Sequence, residues 1–263
     1  MKTIPDNKAA SMELGFKNSL KNLFLTFDED FFKISNQGLY LPVDEAGRIA
    51  KLAGDRVIQA PAIFNTYIEN LDPAIMGTAE LLDAVNAEKL LSTDYFWKLQ
   101  EKTVRYRQWK ITSNRVTATI KSRIKWAVDG VLQEGGSVED LQKSLIEVFQ
   151  KYNKGQAFNT ATIARTEMYS AIRNTEYNYM QEFSKQKKVK MDKDWVTAGD
   201  ERVRALHKNW YGKQGFIDMD SYFKGIYRKK DSVIATKVKR PHDPRGQAFD
   251  VINCRCKLKF KAI

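Results

Sequence analysis

Asp194-Trp-Val-Thr-Ala-Gly-Asp-Glu-Arg-Val-Arg-Ala-Leu-His207 and Val251-Ile-Asn-Cys-Arg-Cys256 decide the fold of the last part of this chain. Together they hold both cysteines and one of the two histidines among 263 residues; the second histidine, His242, falls between them. Every soft metal donor therefore lies in one C-terminal segment, which predicts that His207, His242, Cys254 and Cys256 meet in space. Trp195-Val-Thr197 reads as a strand, Ala198-Gly199 as a turn, and Asp200 as the cap of a short helix over residues 201 to 208. Arg204 and His207 then share a face of that helix. The alternation from residue 251 to 260 predicts a closing strand, whose period of two sends Cys254 and Cys256 to one side and Arg255 to the other. Thiols so placed beside a histidine are a candidate zinc set, with Asp243 as an oxygen alternative. The competing reading makes Asp200, Arg202 and His207 a hydrogen-bonded group and the cysteines buried apolar filler. A disulfide is not expected, because two cysteines one residue apart would close a very small, strained ring.

Charge divides the chain more sharply than its total suggests. Residues 185 to 263 carry 21 Lys plus Arg against 9 Asp plus Glu, an excess equal to the formal net charge of +12 of the whole chain. Residues 1 to 184 balance. A basic segment on a neutral body attracts an anionic partner, nucleic acid or an acidic protein surface, although Lys-rich loops also serve solubility alone. The candidate contacts are Lys224, Arg228, Lys229, Lys230, Lys237, Lys239 and Arg240, and Tyr222-Phe-Lys-Gly-Ile-Tyr-Arg-Lys-Lys230 interleaves rings with cations. No apolar run approaches the roughly 18 residues that span a bilayer, and the first residues lack the form of a secretory signal, so no membrane partner is expected.

Ahead of the basic segment the periodicity is helical. Phe16, Leu20, Leu23, Phe27, Phe31 and Ile34 mark an amphipathic helix, and Asp44 opens a second toward Gln59. Pro61 and Pro73 are expected to divide the next region into short pieces. A helix ends at Gly135-Gly136, and Ser137-Val-Glu-Asp140 caps the following one, whose Leu141, Leu145, Val148 and Phe149 face a core. On a helix over residues 160 to 183, Thr162, Thr166, Ser170, Asn174 and Asn178 form a small polar stripe that admits another backbone. Arg165 and Glu167, two apart, cannot pair with each other and are expected to anchor the helix elsewhere. The fold expected is α+β: a mostly helical N-terminal body, residues 1 to 184, joined to a small C-terminal α+β domain, residues 185 to 263.

Five blocks, Ile163-Ala-Arg-Thr-Glu167, Asp194 to Val203, Arg204-Ala-Leu-His207, Pro241-His-Asp-Pro244 and Ile252-Asn-Cys-Arg-Cys256, taken together resemble the phage minor head protein family, also called Mu F-like or head morphogenesis. The resemblance covers roughly residues 115 to 260, and the family helices fall within 115 to 184. It implies a protein of the tailed-phage virion, inside the capsid near the portal and in the host cytoplasm during assembly. Portal protein, capsid or scaffolding protein, and packaged DNA are the implied partners, with roles in head assembly and in DNA packaging or delivery. The blocks make Arg165, Glu167, Asp200, Arg202 and Arg204 structural motif residues, and the family brings no settled catalytic activity. Relatives that carry Cys-x-x-Cys where this chain has Arg204 to His207 resemble a zinc ribbon more closely.

Three function classes follow. A structural virion component fits the charge split and the resemblance. A metal-dependent nuclease would use Asp200, Glu201, His207 and Asp243, although an Asp-Glu pair at a helix start is more often a cap. A non-specific nucleic-acid-binding protein would use the basic loop.

Overall fold

A computed structural model describes residues 5–38, 41–86, 104–153, 160–229 and 232–263. Long helices lead: α1 Asp6–Ser35, α2 Val43–Val57, α3 Ala60–Asn86, α4 Val104–Gln133, α5 Val138–Asn153 and α6 Thr160–Lys187. Strands and short helices follow: β1 Met191–Val196, α7 Ala205–Asn209, β2 Ile217–Asp218, β3 Phe223–Lys229, β4 Ser232–Val238, α8 Ala248–Val251 and β5 Lys257–Ala262. The class is α+β, helical first and mixed at the end.

The chain forms two compact units. One comprises Phe16–Asn70 and Tyr106–Ala161. Its core is the apolar face foreseen for α1, with Phe16, Leu20, Phe27 and Phe31 buried. Phe16 meets Tyr67 edge-on at 5.3 Å, and Phe31 lies 4.7 Å from Phe149. Each such side chain contributes about 1.5–3 kcal/mol on burial. Helices α2 and α4 approach closely at two glycines. A Cβ on Gly47 would stand 2.7 Å from Val128 Cγ1, and one on Gly54 would stand 2.9 Å from Ile124 Cδ1. The start of α5 is capped as expected: Ser137 Oγ accepts from the Asp140 N–H at 3.2 Å, and Asp140 Oδ2 accepts from the Ser137 N–H at 3.0 Å.

Pro61 and Pro73 do not break the chain into pieces, because α3 runs through both. Pro61 stands in the first turn, where no intrahelical donor is required. Pro73 costs about 3 kcal/mol inside a helix. Ile63, Tyr67, Leu71 and Ile75 are buried along the same helix, and at about 1.5–3 kcal/mol each they outweigh one proline.

The second unit comprises Met1–Gly15, Leu71–Arg105 and Thr162–Ile263. Three antiparallel strands run in the order β2-β1-β5, and β3 pairs with β4 as a separate two-stranded ribbon. Strand β1 starts earlier than the sequence suggests, inside the Lys-rich passage, and alternates strictly: Met191, Lys193 and Trp195 point inward. The first turns of α1 are tied to this unit by ion pairs from Asp6 to Lys257 at 2.9 Å and from Glu13 to Arg165 at 3.0 Å.

Candidate metal centre

The final strand begins at Lys257, not at residue 251 as the alternation predicts. Val251 closes α8, and Asn253 sits in the left-handed region with φ 59°, a conformation that asparagine tolerates better than most residues. This turn, rather than strand pleating, aims the two cysteines. Helix α6 braces it. The Asn253 N–H donates to Thr166 Oγ1 at 2.8 Å, and Arg165 Nη1 donates to Asn253 Oδ1 at 2.8 Å while Arg165 Nε donates to Glu13 Oε1 at 3.0 Å. The Arg204 guanidinium donates to the Ile252 carbonyl. Arg255 pairs with Asp200 at 2.7 Å.

Asp200 does not cap a helix over residues 201 to 208. Its Oδ1 accepts from the Arg202 N–H at 3.2 Å within a turn, and the helix starts later, as α7. The hydrogen bond from Arg255 holds the Asp200 carboxyl below the usual carboxylate range. Helix α7 in turn presents His207 inward, its ring 5.2 Å from Trp195 and 5.5 Å from Tyr211.

His207, Cys254 and Cys256 converge, with 1%, 2% and 2% of their surface exposed. His207 Nδ1 lies 3.7 Å from Cys254 Sγ and 3.5 Å from Cys256 Sγ, and the three donor atoms lie within 4.8 Å of one another. Zinc bonds of about 2.3 Å to sulfur and about 2.0–2.1 Å to nitrogen, at the tetrahedral angle, put N and S about 3.6 Å apart. The two observed N–S separations match that edge, so this group could hold a metal ion.

The two thiols are shifted in opposite directions. A hydrogen bond from Cys256 holds the Cys254 thiol well below the usual range, helped by His207 and His242, while the same bond and burial push Cys256 well above it. Metal ions bind the thiolate form, which the shift at Cys254 favours. At this burial no substrate reaches it, so the arrangement suits a closed structural site better than nucleophilic catalysis. His242 stands beside the group, at φ 56°, with its Nε2 2.8 Å from the Cys254 carbonyl oxygen and its buried Nδ1 without a hydrogen-bond partner.

The carboxylates named for a nuclease do not join this cluster; among the described residues the only metal-capable group is His207, Cys254 and Cys256. Asp243 is spent on its own turn, accepting from the Lys239 N–H at 2.8 Å and the Arg245 N–H at 3.0 Å. Glu167 is buried on α6. Of the basic candidates, Lys224, Arg228 and Lys237 are exposed on the ribbon. Lys239 pairs with Asp220 at 3.5 Å. Arg240 turns inward, donating from Nε to Asn174 Oδ1 at 2.6 Å with its guanidinium 4.6 Å from the Tyr177 ring. Lys230 and the Lys229 side chain lie outside the described residues.

Sequence reasoning passed over several residues that shape the site. Glu13 completes the Arg165 brace from far upstream, with no local signal. Tyr211 and Asp250 are buried and joined by a 2.8 Å hydrogen bond that fixes α8. Lys193 is fully buried, its ammonium donating to the carbonyls of Met219 and Ser221 at 2.5 and 2.8 Å. The strict alternation of β1 was the signal available for Lys193.

No curated protein and no solved structure matches the chain. The profile of the family described as Phage Mu protein F like protein matches residues 122–259, a span that holds the bracing helix α6, the ribbon, His207 and both cysteines. More than half of the chain is thereby accounted for, and the protein belongs to the Mu F-like phage head morphogenesis family.

Proposed function

We propose that this chain is a minor head component of a tailed bacteriophage, held inside the capsid near the portal, whose C-terminal unit is stapled by zinc. The supporting observation is a coincidence of spans: the family match covers residues 122–259, and the braced cluster of His207, Cys254 and Cys256 lies wholly within it. His207 Nδ1 and the two sulfurs would hold the ion as three protein donors, with His242 beside them on the Cys254 carbonyl. A bound zinc supplies cross-linking free energy that a small unit lacks when its core is thin. The chain's own residues do the rest: Arg165 and Thr166 set the Asn253 turn, Asp200 holds Arg255 away from the thiols, and Trp195 and Tyr211 keep water from the imidazole.

Portal protein and capsid or scaffolding protein are the protein partners, met in the host cytoplasm during assembly, and packaged DNA is the polyanion that the basic excess of residues 185 to 263 addresses. Roles in packaging or ejection follow from that position. Among the described residues no helix is long and apolar enough to cross a membrane. Fractionation of purified virions with mass spectrometry tests the reading. The chain is expected in filled heads, at few copies per particle and with portal protein; absence from particles, or a copy number like that of the shell subunit, overturns it.

A further inference from the structure

The register of the β3–β4 ribbon sorts its side chains onto two faces. Opposed residues of an antiparallel pair project to the same side. Phe223 with Val238, Gly225 with Thr236 and Tyr227 with Ile234 make the inner face. Phe223 and Val238 are buried, and Tyr227 stacks on Phe249 at 4.0 Å. Lys224 with Lys237, Ile226 with Ala235 and Arg228 with Val233 make the outer face.

Like charges directly opposite each other destabilise a ribbon. Lys224 and Lys237 are so placed and exposed, and among the described residues neither they nor Arg228 has an ion-pair partner. In the neighbouring sheet of the same unit Asp194 stands across from Lys259, and Asp192 stands across from Lys261 on one side and Asp218 on the other, so cations there meet carboxylates. On the ribbon's outer face, among the described residues, the cations of one strand meet no carboxylate on the other.

We infer that the outer face of the β3–β4 ribbon binds duplex DNA through its phosphates. This deepens the reading of the C-terminal unit as the part that meets packaged DNA, and rests on it. Lys224 and Arg228, four residues apart on one strand, are separated by about 13 Å. A major groove is about 12 Å wide and admits a two-stranded ribbon, so the Lys224–Lys237 end and the Arg228 end reach phosphates on opposite walls. Between them stand Ile226 and Ala235, which carry no donor or acceptor for base edges, so recognition is indifferent to sequence. Single strands are the poorer fit. They need an open ring to stack on, and Tyr222 already lies under the ammonium groups of Lys237 at 5.4 Å and Lys239 at 5.3 Å.

The test is fluorescence anisotropy of the full chain with two short duplexes of unrelated sequence over a salt series. Lys224→Glu/Lys237→Glu is compared with Lys8→Glu/Lys21→Glu, which makes the same charge change at two exposed positions of α1. The wild type should bind both duplexes within about threefold. The ribbon variant should bind at least about tenfold more weakly near physiological salt and lower the slope of log K against log salt by about 1.8, whereas the α1 variant should give less than half of either change. Circular dichroism and thermal melting confirm that each variant is folded. Equal losses in the two variants, or strong preference for one duplex, overturn the inference. Presence of the ribbon variant in virions at wild-type copy number separates this outcome from the minor-head reading, which would then stand alone.

Discussion

Arg165 on α6 and Asn253 before the paired cysteines, 88 residues apart in sequence, are joined by a 2.8 Å hydrogen bond from Nη1 to Oδ1. The same guanidinium holds Glu13 of α1. One planar cation thus fixes a left-handed turn, and the turn decides where two thiols point.

Replacing Arg165 should loosen that turn. Arg165→Ala is expected to cost about 1.5–3 kcal/mol, the range for hydrogen bonds to charged groups. Arg165→Lys should recover little, because a single ammonium cannot repeat a fork that serves two partners. Urea unfolding midpoints measure both. A lysine variant as stable as wild type would remove the brace from the explanation.

Gly225 lies on the ribbon face that packs against Leu206 and Tyr211. A Cβ there would stand 2.6 Å from Leu206 Cδ1 and 2.9 Å from Tyr211 Cε1. Gly225→Ala should therefore destabilise the unit by about 1–3 kcal/mol through overpacking, although alanine normally favours stability by stiffening the unfolded chain. Thermal melting of the variant gives the sign directly, and a raised melting temperature would contradict the packing described.

Lys193 should write a pH dependence into stability. Burial, reinforced by Lys239 and Arg240 and opposed by Asp220 and Asp218, lowers its pKa from 10.5 to about 7. Between those values the unfolded chain binds a proton that the folded chain does not, so stability rises with pH across that window, and below it the cost of a buried ammonium is fully present. Lys193→Met should flatten this rise. Denaturation of both proteins at neutral pH and about two units higher checks it; parallel curves would mean that Lys193 contributes none of the slope.

The sequence carried the architecture where one interaction dominates a local choice. The Ser137–Asp140 cap, the buried face of α1 and the gathering of His207 with Cys254 and Cys256 all depend on spacing or on a rare residue type, and all were readable. The final strand was misread because alternation continues through Cys254-Arg-Cys256, while the residues that break it, Arg165, Thr166 and Asn253, come from two distant segments. Pro73 misled for a related reason: a local helix penalty says nothing of the four apolar side chains that the continuous helix buries. The unmatched lysines of the ribbon were visible only as charge until pairing set Lys224 across from Lys237.

Metal content decides the central claim. Protein purified without added metal should contain about one zinc per chain by elemental analysis, released by chelator with a fall in melting temperature. His207→Ala and Cys254→Ser should each abolish the zinc while Lys8→Glu/Lys21→Glu retains it. Wild-type protein holding less than about a tenth of an equivalent, or a Cys254→Ser variant as zinc-rich as wild type, would contradict a zinc-stapled C-terminal unit.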